Sequence, residues 1–158
     1  MDIKDLQKKI QDALSQVRAQ NRQTTDAAVN KAKSTAAGKS SKDAVLKAMD
    51  DAHETIPSAE QSEENEYASE KLTEMAQALL DRAARETDPV KKAELLAKAK
   101  EYADEAARRD PNNAQAKQIA QNAEKASNEA QAEKAKAEAE KQTAENKKAA
   151  ADLASSSQ

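Results

Sequence analysis

The sequence contains no cysteine, phenylalanine or tryptophan. Without cysteine, neither a disulfide nor a cysteine-containing zinc site can form, which suits a reducing compartment. Tyr67 and Tyr102 are the only aromatic residues, so any core must be assembled from Leu, Ile, Val, Met and Ala. One buried aliphatic side chain contributes only about 1.5–3 kcal/mol. That predicts thin seams between helices rather than one large compact core. Glycine is nearly absent too: Gly38 stands alone, beside Pro57, Pro89 and Pro111. Strand-rich folds need many tight turns, and tight turns need residues that accept positive φ. Long apolar runs are also missing. No window approaches the roughly 18 apolar residues of a membrane span. Residues 1–22 alternate charged and apolar side chains and lack the continuous apolar stretch of a signal peptide. A cytoplasmic protein is the expectation, although secretion by a signal-independent route would leave no mark in such a sequence.

Ala, Lys, Glu and Gln dominate, and all four favour helices. With strands disfavoured, the expected fold class is all-α: an antiparallel helical hairpin or bundle with a long alanine-rich C-terminal helix, coiled-coil-like. A chain of 158 residues suits one domain, or a small domain with an extension. Three segments are expected: amphipathic N-terminal helices over 1–56, a central helical hairpin over 57–111, and a long alanine-rich heptad helix with a frayed end over 112–158. Charged residues make up 35% of the chain, with a net charge of −3. The three segments carry +2, −5 and zero. No segment has the concentrated basic face of a duplex-binding module, so no nucleic-acid partner is expected.

The first helix carries the clearest pattern. Ile3, Leu6, Ile10, Ala13 and Val17, with Leu14 beside them, form an a/d seam of just over two heptads. Asp2 is placed to cap its start and Asp5 to face the positive helix end. The pattern weakens after Arg22, a shallower alanine face follows, and Gly38 is a natural stop. Ser40 and Ser41 are caps for a second helix that ends at Ile56-Pro57. Ser58 with Gln61 reads as a capping box for a third. Asp88-Pro89 and Asp110-Pro111 read as repeated cap-plus-proline starts. The third and fourth helices hold both tyrosines and most of the leucines, so the best core is expected there.

The tail differs. Ala116, Ala123, Ala130, Ala137, Ala144 and Ala151 recur every seven residues, a register that could supercoil around a partner. Lys134–Glu138, Lys136–Glu140 and Lys141–Glu145 are i,i+4 pairs in the weaker orientation.

Residues 95–116, LLAKAKEYADEAARRDPNNAQA, resemble the second helix of a tetratricopeptide repeat and the Asp-Pro-Asn-Asn junction that follows it. Ala99, Ala106 and Pro111 fall at that family's small and terminal-proline positions. The resemblance covers one junction and implies helix-turn-helix geometry with a peptide groove. Residues 66–90 lack the family's first-helix pattern, and no second copy follows. In composition the Ala/Lys/Glu tail is similar to the helical spacers of rod-like bacterial proteins.

No catalytic, cofactor-binding or metal-ligating residue is assigned. Ala37-Gly38-Lys39-Ser40 lacks the upstream glycine and preceding strand of a phosphate loop. His53 has Asp50 and Glu54 within one helical turn, but a lone imidazole among exposed carboxylates reads as a solvated side chain. Catalysis needs a perturbed group in a dry pocket, and this composition offers little with which to build one. The acidic run from Glu60 to Glu74 reads as a solvated surface. The expected function is a non-enzymatic scaffold acting through helix–helix association with itself or another helical protein, as a homo-oligomer. Ile3, Leu6, Ile10, Leu14 and Val17 and the six heptad alanines are the expected contact residues. Lys4, Lys8, Lys9, Arg18 and Arg22 flank the first seam and suit surface contact with an anionic membrane only weakly, because Asp2, Asp5 and Asp12 dilute them. The alternatives are a tetratricopeptide-like peptide-binding adaptor and a hydrophilic stress-protective protein with little structure of its own.

Overall fold

A computed structural model describes residues 2–156. Five α-helices and one turn of 3₁₀ helix account for most of them, and no strand occurs among the described residues. The protein is an all-α helical bundle. Helix α1 spans Ile3–Ala37, α2 Lys42–Glu54, α3 Asn65–Ala84, α4 Pro89–Arg109 and α5 Ala114–Ser156, with the 3₁₀ turn over Ser62–Glu64.

The caps explain most of these boundaries. The Asp2 carboxylate accepts the Asp5 N–H at 3.0 Å, Ser41 Oγ accepts from Ala44 at 3.2 Å, and Asp88 accepts from Val90 at 2.9 Å ahead of Pro89. Such caps satisfy donors that have no partner within the helix. Gly38 does end α1, but at φ −87°, not in the left-handed conformation expected of a terminal glycine. The reason lies in α3. Arg85, the cap at its end, donates to the Ala36 carbonyl and, at 3.4 Å, to that of Gly38, while Arg82 reaches Ser40 O at 3.4 Å. Cationic side chains thus do what a left-handed turn does elsewhere.

Two expected starts are corrected. Ser58 and Gln61 form a turn, not a capping box, and α3 begins later, at Asn65. Residues 58–64 are needed to carry the chain from the end of α2 to the flank of α1, where Glu64 is only 4% exposed and meets Arg22 at 2.9 Å. Asp110-Pro111 likewise forms a turn. Asn113 caps α5 instead, accepting the Ala116 N–H at 3.0 Å.

Helices α1 and α2 form one antiparallel hairpin, and α3 and α4 a second. The hairpins lie side by side, α1 parallel to α3 and α2 parallel to α4, and α5 returns against α4 and α3. Their buried apolar residues form one cluster running through all five helices, so the core is continuous rather than a set of separate seams. It is still a thin core: eleven of its 21 members are alanine. Alanine lets helix axes approach closely but buries little area per contact. Leu72, Met75, Leu79, Leu95 and Leu96 on α3 and α4 supply much of the bulk, joined by Met49 on α2 and by Tyr102, whose ring and hydroxyl face α2.

Polar contacts flank this core along both hairpin–hairpin seams. Between α1 and α3 with the 3₁₀ turn before it, Arg18 pairs with Glu63, Arg22 with Glu64, Lys71 with Asp26 at 3.1 Å and Lys33 with Glu74 at 2.9 Å, and Lys71 also meets Glu74 within α3 at 3.1 Å. Tyr67 belongs to this seam rather than to the α3–α4 core. Its hydroxyl lies between the Arg22 carbonyl and the Asp26 carboxylate, and the Arg22 guanidinium stacks 4.4 Å above its ring. The Tyr67 hydrogen bond, helped by Lys71, holds the Asp26 carboxyl below its ordinary range. Between α2 and α4, Lys42 pairs with Glu94, Lys98 with Asp50 at 3.5 Å, and Tyr102 donates to Asp50 at 3.1 Å.

One node ties three helices. Asn113 Nδ2 donates to Ser69 Oγ at 2.9 Å and Thr73 Oγ1 at 3.0 Å. Ser69 in turn donates to the Ala106 carbonyl at 2.7 Å. Ser69 and Thr73 on α3, Ala106 on α4 and the start of α5 are therefore fixed by one side chain. Replacing Asn113 with Ala removes the cap and both amide bonds. The expected cost is about 1–2 kcal/mol, read as a fall in Tm of roughly 3–6 °C for a chain of this size; an unchanged melting curve would refute the node's role.

Candidate functional site

The described residues expose seven large aliphatic side chains, and five of them are Ile3, Leu6, Ile10, Leu14 and Val17, at 44–75% exposure. All five lie on α1 before its first buried residue, Thr25. This half of α1 projects beyond the end of the bundle that carries the α2–α3 connection, because Arg18 is already beside Glu63 and Thr25 donates to the Thr55 carbonyl at 2.7 Å. The projecting segment is roughly 22 Å long at about 1.5 Å per residue. It stays helical because Asp2 caps it, helix-favouring residues fill it, and it continues a helix already nucleated by packing.

The heptad alanines separate into two groups. Ala116, Ala123 and Ala130 are buried, with Ile119 between them, in the part of α5 that returns along α4. For these three the contact partner is the chain's own hairpin. Ile119, three residues after Ala116, is the large apolar member of that seam, and attention to alanine alone passes over it. Ala137, Ala144 and Ala151 are exposed, as is every residue over 131–155. This part of α5 runs past the α3–α4 turn and out of the bundle at the end opposite the α1 projection. No apolar stripe marks it. Lys134–Glu138, Lys136–Glu140 and Lys141–Glu145 do not close to ion pairs among the described residues. Helix α5 continues to Ser156, and Ser157 and Gln158, the rest of the end expected to fray, lie outside the described residues.

His53 is not the solvated side chain expected. Its Nε2 lies 2.8 Å from Glu105 on α4, and its ring stacks on Tyr102 at 5.1 Å. The partner lies fifty-two positions away in sequence, so local spacing gave no sign of it. Among the described residues no three His, Asp or Glu side chains are grouped to hold a metal ion, and no helix is long and apolar enough to cross a membrane.

Glu105 raises the His53 pKa, and His53 lowers that of Glu105. A raised histidine contributes stability below its unfolded value, near 6.5, and loses it as pH rises. A lowered carboxylate contributes above about 4.5 and loses it as pH falls. The pair therefore acts most strongly between these values. His53→Gln should cost roughly 0.5 kcal/mol near pH 5.5, a modest figure because both groups are partly solvated. The difference in Tm from the parent chain should shrink above pH 8; a difference independent of pH would argue against the ion pair.

Residues 131–155 are exposed, and those from Glu133 to Lys141 only border the α3–α4 turn and the start of α4. Ending the chain at Gln131 should change stability by less than about 0.5 kcal/mol, and amide protection in the full chain should fall off after Ala130. A large loss of stability on truncation would mean that the projecting half contributes to the fold. In comparisons with known proteins, no family model matches this chain, and neither a curated protein nor a solved structure matches it.

Proposed function

We propose that this protein is a structural or scaffolding element that works by helix–helix association, with itself or another helical protein, through the projecting half of α1. One observation carries the reading. A chain short of large apolar residues places five of them in a single exposed line on a helix that the rest of the bundle does not cover. Scattered exposed aliphatics need no explanation, but a contiguous stripe on one helix face is the form a docking surface takes.

A second reading, a tetratricopeptide-like peptide-binding adaptor, draws support from the parallel arrangement of α1, α3 and α5. A groove of about 480 Å³ lies between them, bordered by Lys33, Gln77, Asp81, Arg85 and Gln115. Its lining mixes both charge signs and small side chains, and gives less driving force for binding than the α1 stripe.

Sedimentation velocity across a wide concentration range tests the first reading. The parent chain should form larger species, whereas an Ile10→Asp/Leu14→Asp variant of equal helicity should not. The reading fails if parent and variant behave alike, both in self-association and in binding any helical partner the parent recognises.

A further inference from the structure

We infer that the occupant of the α1 stripe is the same stripe on a second copy of this chain, run antiparallel and centred on Ile10. This rests on the reading of the stripe as a docking surface and adds the identity and direction of the partner.

The stripe is symmetric about its midpoint. Relative to Ile10, its members stand seven and four residues before, at Ile3 and Leu6, and four and seven after, at Leu14 and Val17. Laid against its own reversed copy, Ile3 comes level with Val17 of the other copy, Leu6 with Leu14, and Ile10 with Ile10. Self-complementarity of this kind is the requirement of a two-fold interface.

The charges agree with that direction. With the copies reversed about Ile10, Asp2 comes level with Arg18, Lys8 with Asp12, Lys4 with Gln16, Asp5 with Ser15 and Lys9 with Gln11. No charged residue over 2–18 is level with a like charge. In a parallel, in-register pair every lysine and every aspartate would be level with its own copy, an arrangement that is unfavourable along neighbouring helices.

The bundle sets the length of the overlap. In the antiparallel pair each helix starts level with Arg18 of the other, where Glu63 begins to cover α1. The two bundles then sit at opposite ends of the paired segment. A parallel partner would run on toward α2 and α3, which cover the adjoining side of α1 from Thr25 onward. Two such stripes bury on the order of 1,000 Å² in total, the threshold size for a specific interface. The dimer is accordingly weak and responds to concentration.

Spin labels on the full chain test this directly, because it has no cysteine of its own. Gln11→Cys and Lys4→Cys each provide one attachment point on the exposed segment. At concentrations where sedimentation gives a dimer, labels at position 11 should lie close together. Labels at position 4 should be separated by roughly 18 Å or more along the axis. Ile10→Asp should abolish both signals and return the chain to monomer. Short distances at both positions, long distances at both, or a monomer at every concentration would overturn the inference. A monomer that binds a different helical protein through Ile10 would overturn it while leaving the docking role of the stripe intact. A dimer that persists in Ile10→Asp would overturn both.

Discussion

Close approach of helices through alanine is the constraint on which the rest of this structure depends. Half of the core is alanine, and alanine contributes only when the facing backbone is near. Such an interface gives little energy for displacement along it and little preference for one register over another. Registers must then be fixed by something directional. The structure supplies it along the seams between hairpins, where Arg22–Glu64, Lys71–Asp26 and Lys33–Glu74 link α1 to α3 and Lys98–Asp50 and His53–Glu105 link α2 to α4. Each pair adds little stability when partly solvated. Their value lies in geometry, since a slip of one turn would break several together.

The same constraint accounts for the polar nodes inside the bundle. Thr25, Ser69 and Thr73 are buried, yet each hydroxyl donates to a backbone carbonyl. A buried donor with a partner costs little, and one without a partner costs much. These small polar side chains occupy no more room than alanine or valine while adding direction. Arg82 and Arg85 extend the principle to the α1–α2 turn, where they satisfy the carbonyls a helix end leaves open. Arg109 does the same for the linker before α3, donating to Ser58 O at 3.2 Å and to Asn65 at 2.6 Å.

Much of the fold is legible in local sequence. Asp2, Ser41 and Asp88 mark helix starts because a cap is a contact between residues two or three apart. The α3–α4 core is legible because its leucines recur with helical period. What local spacing cannot carry are pairings between distant segments. A capping box at Ser58 would start α3 at residue 59, six positions before its actual start at Asn65, and the displacement follows from Arg22, on another helix. His53 reads as solvated until Glu105 and Tyr102 are brought beside it. The alanine register of α5 reads as one surface from Ala116 to Ala151, yet it changes character at Ala130, because beyond it α5 borders only the start of α4 and the turn before it and becomes exposed. The aliphatic stripe of α1 is fully legible, since its members are close in sequence and no other part of the bundle reaches them.

The two projections leave the bundle at opposite ends, and this has a mechanical consequence. The exposed part of α5 runs past the α3–α4 turn at one end, and that of α1 adds roughly 22 Å at the other. Tension applied between the two tips runs along the helix axes rather than across them. It loads the α1–α3 and α4–α5 interfaces in shear, so the contacts along each seam resist together instead of peeling apart in turn. A bundle held by many modest links and a shallow core is weak against prying but comparatively stiff when stretched along its length. The arrangement of its ends directs load into that stiffer direction.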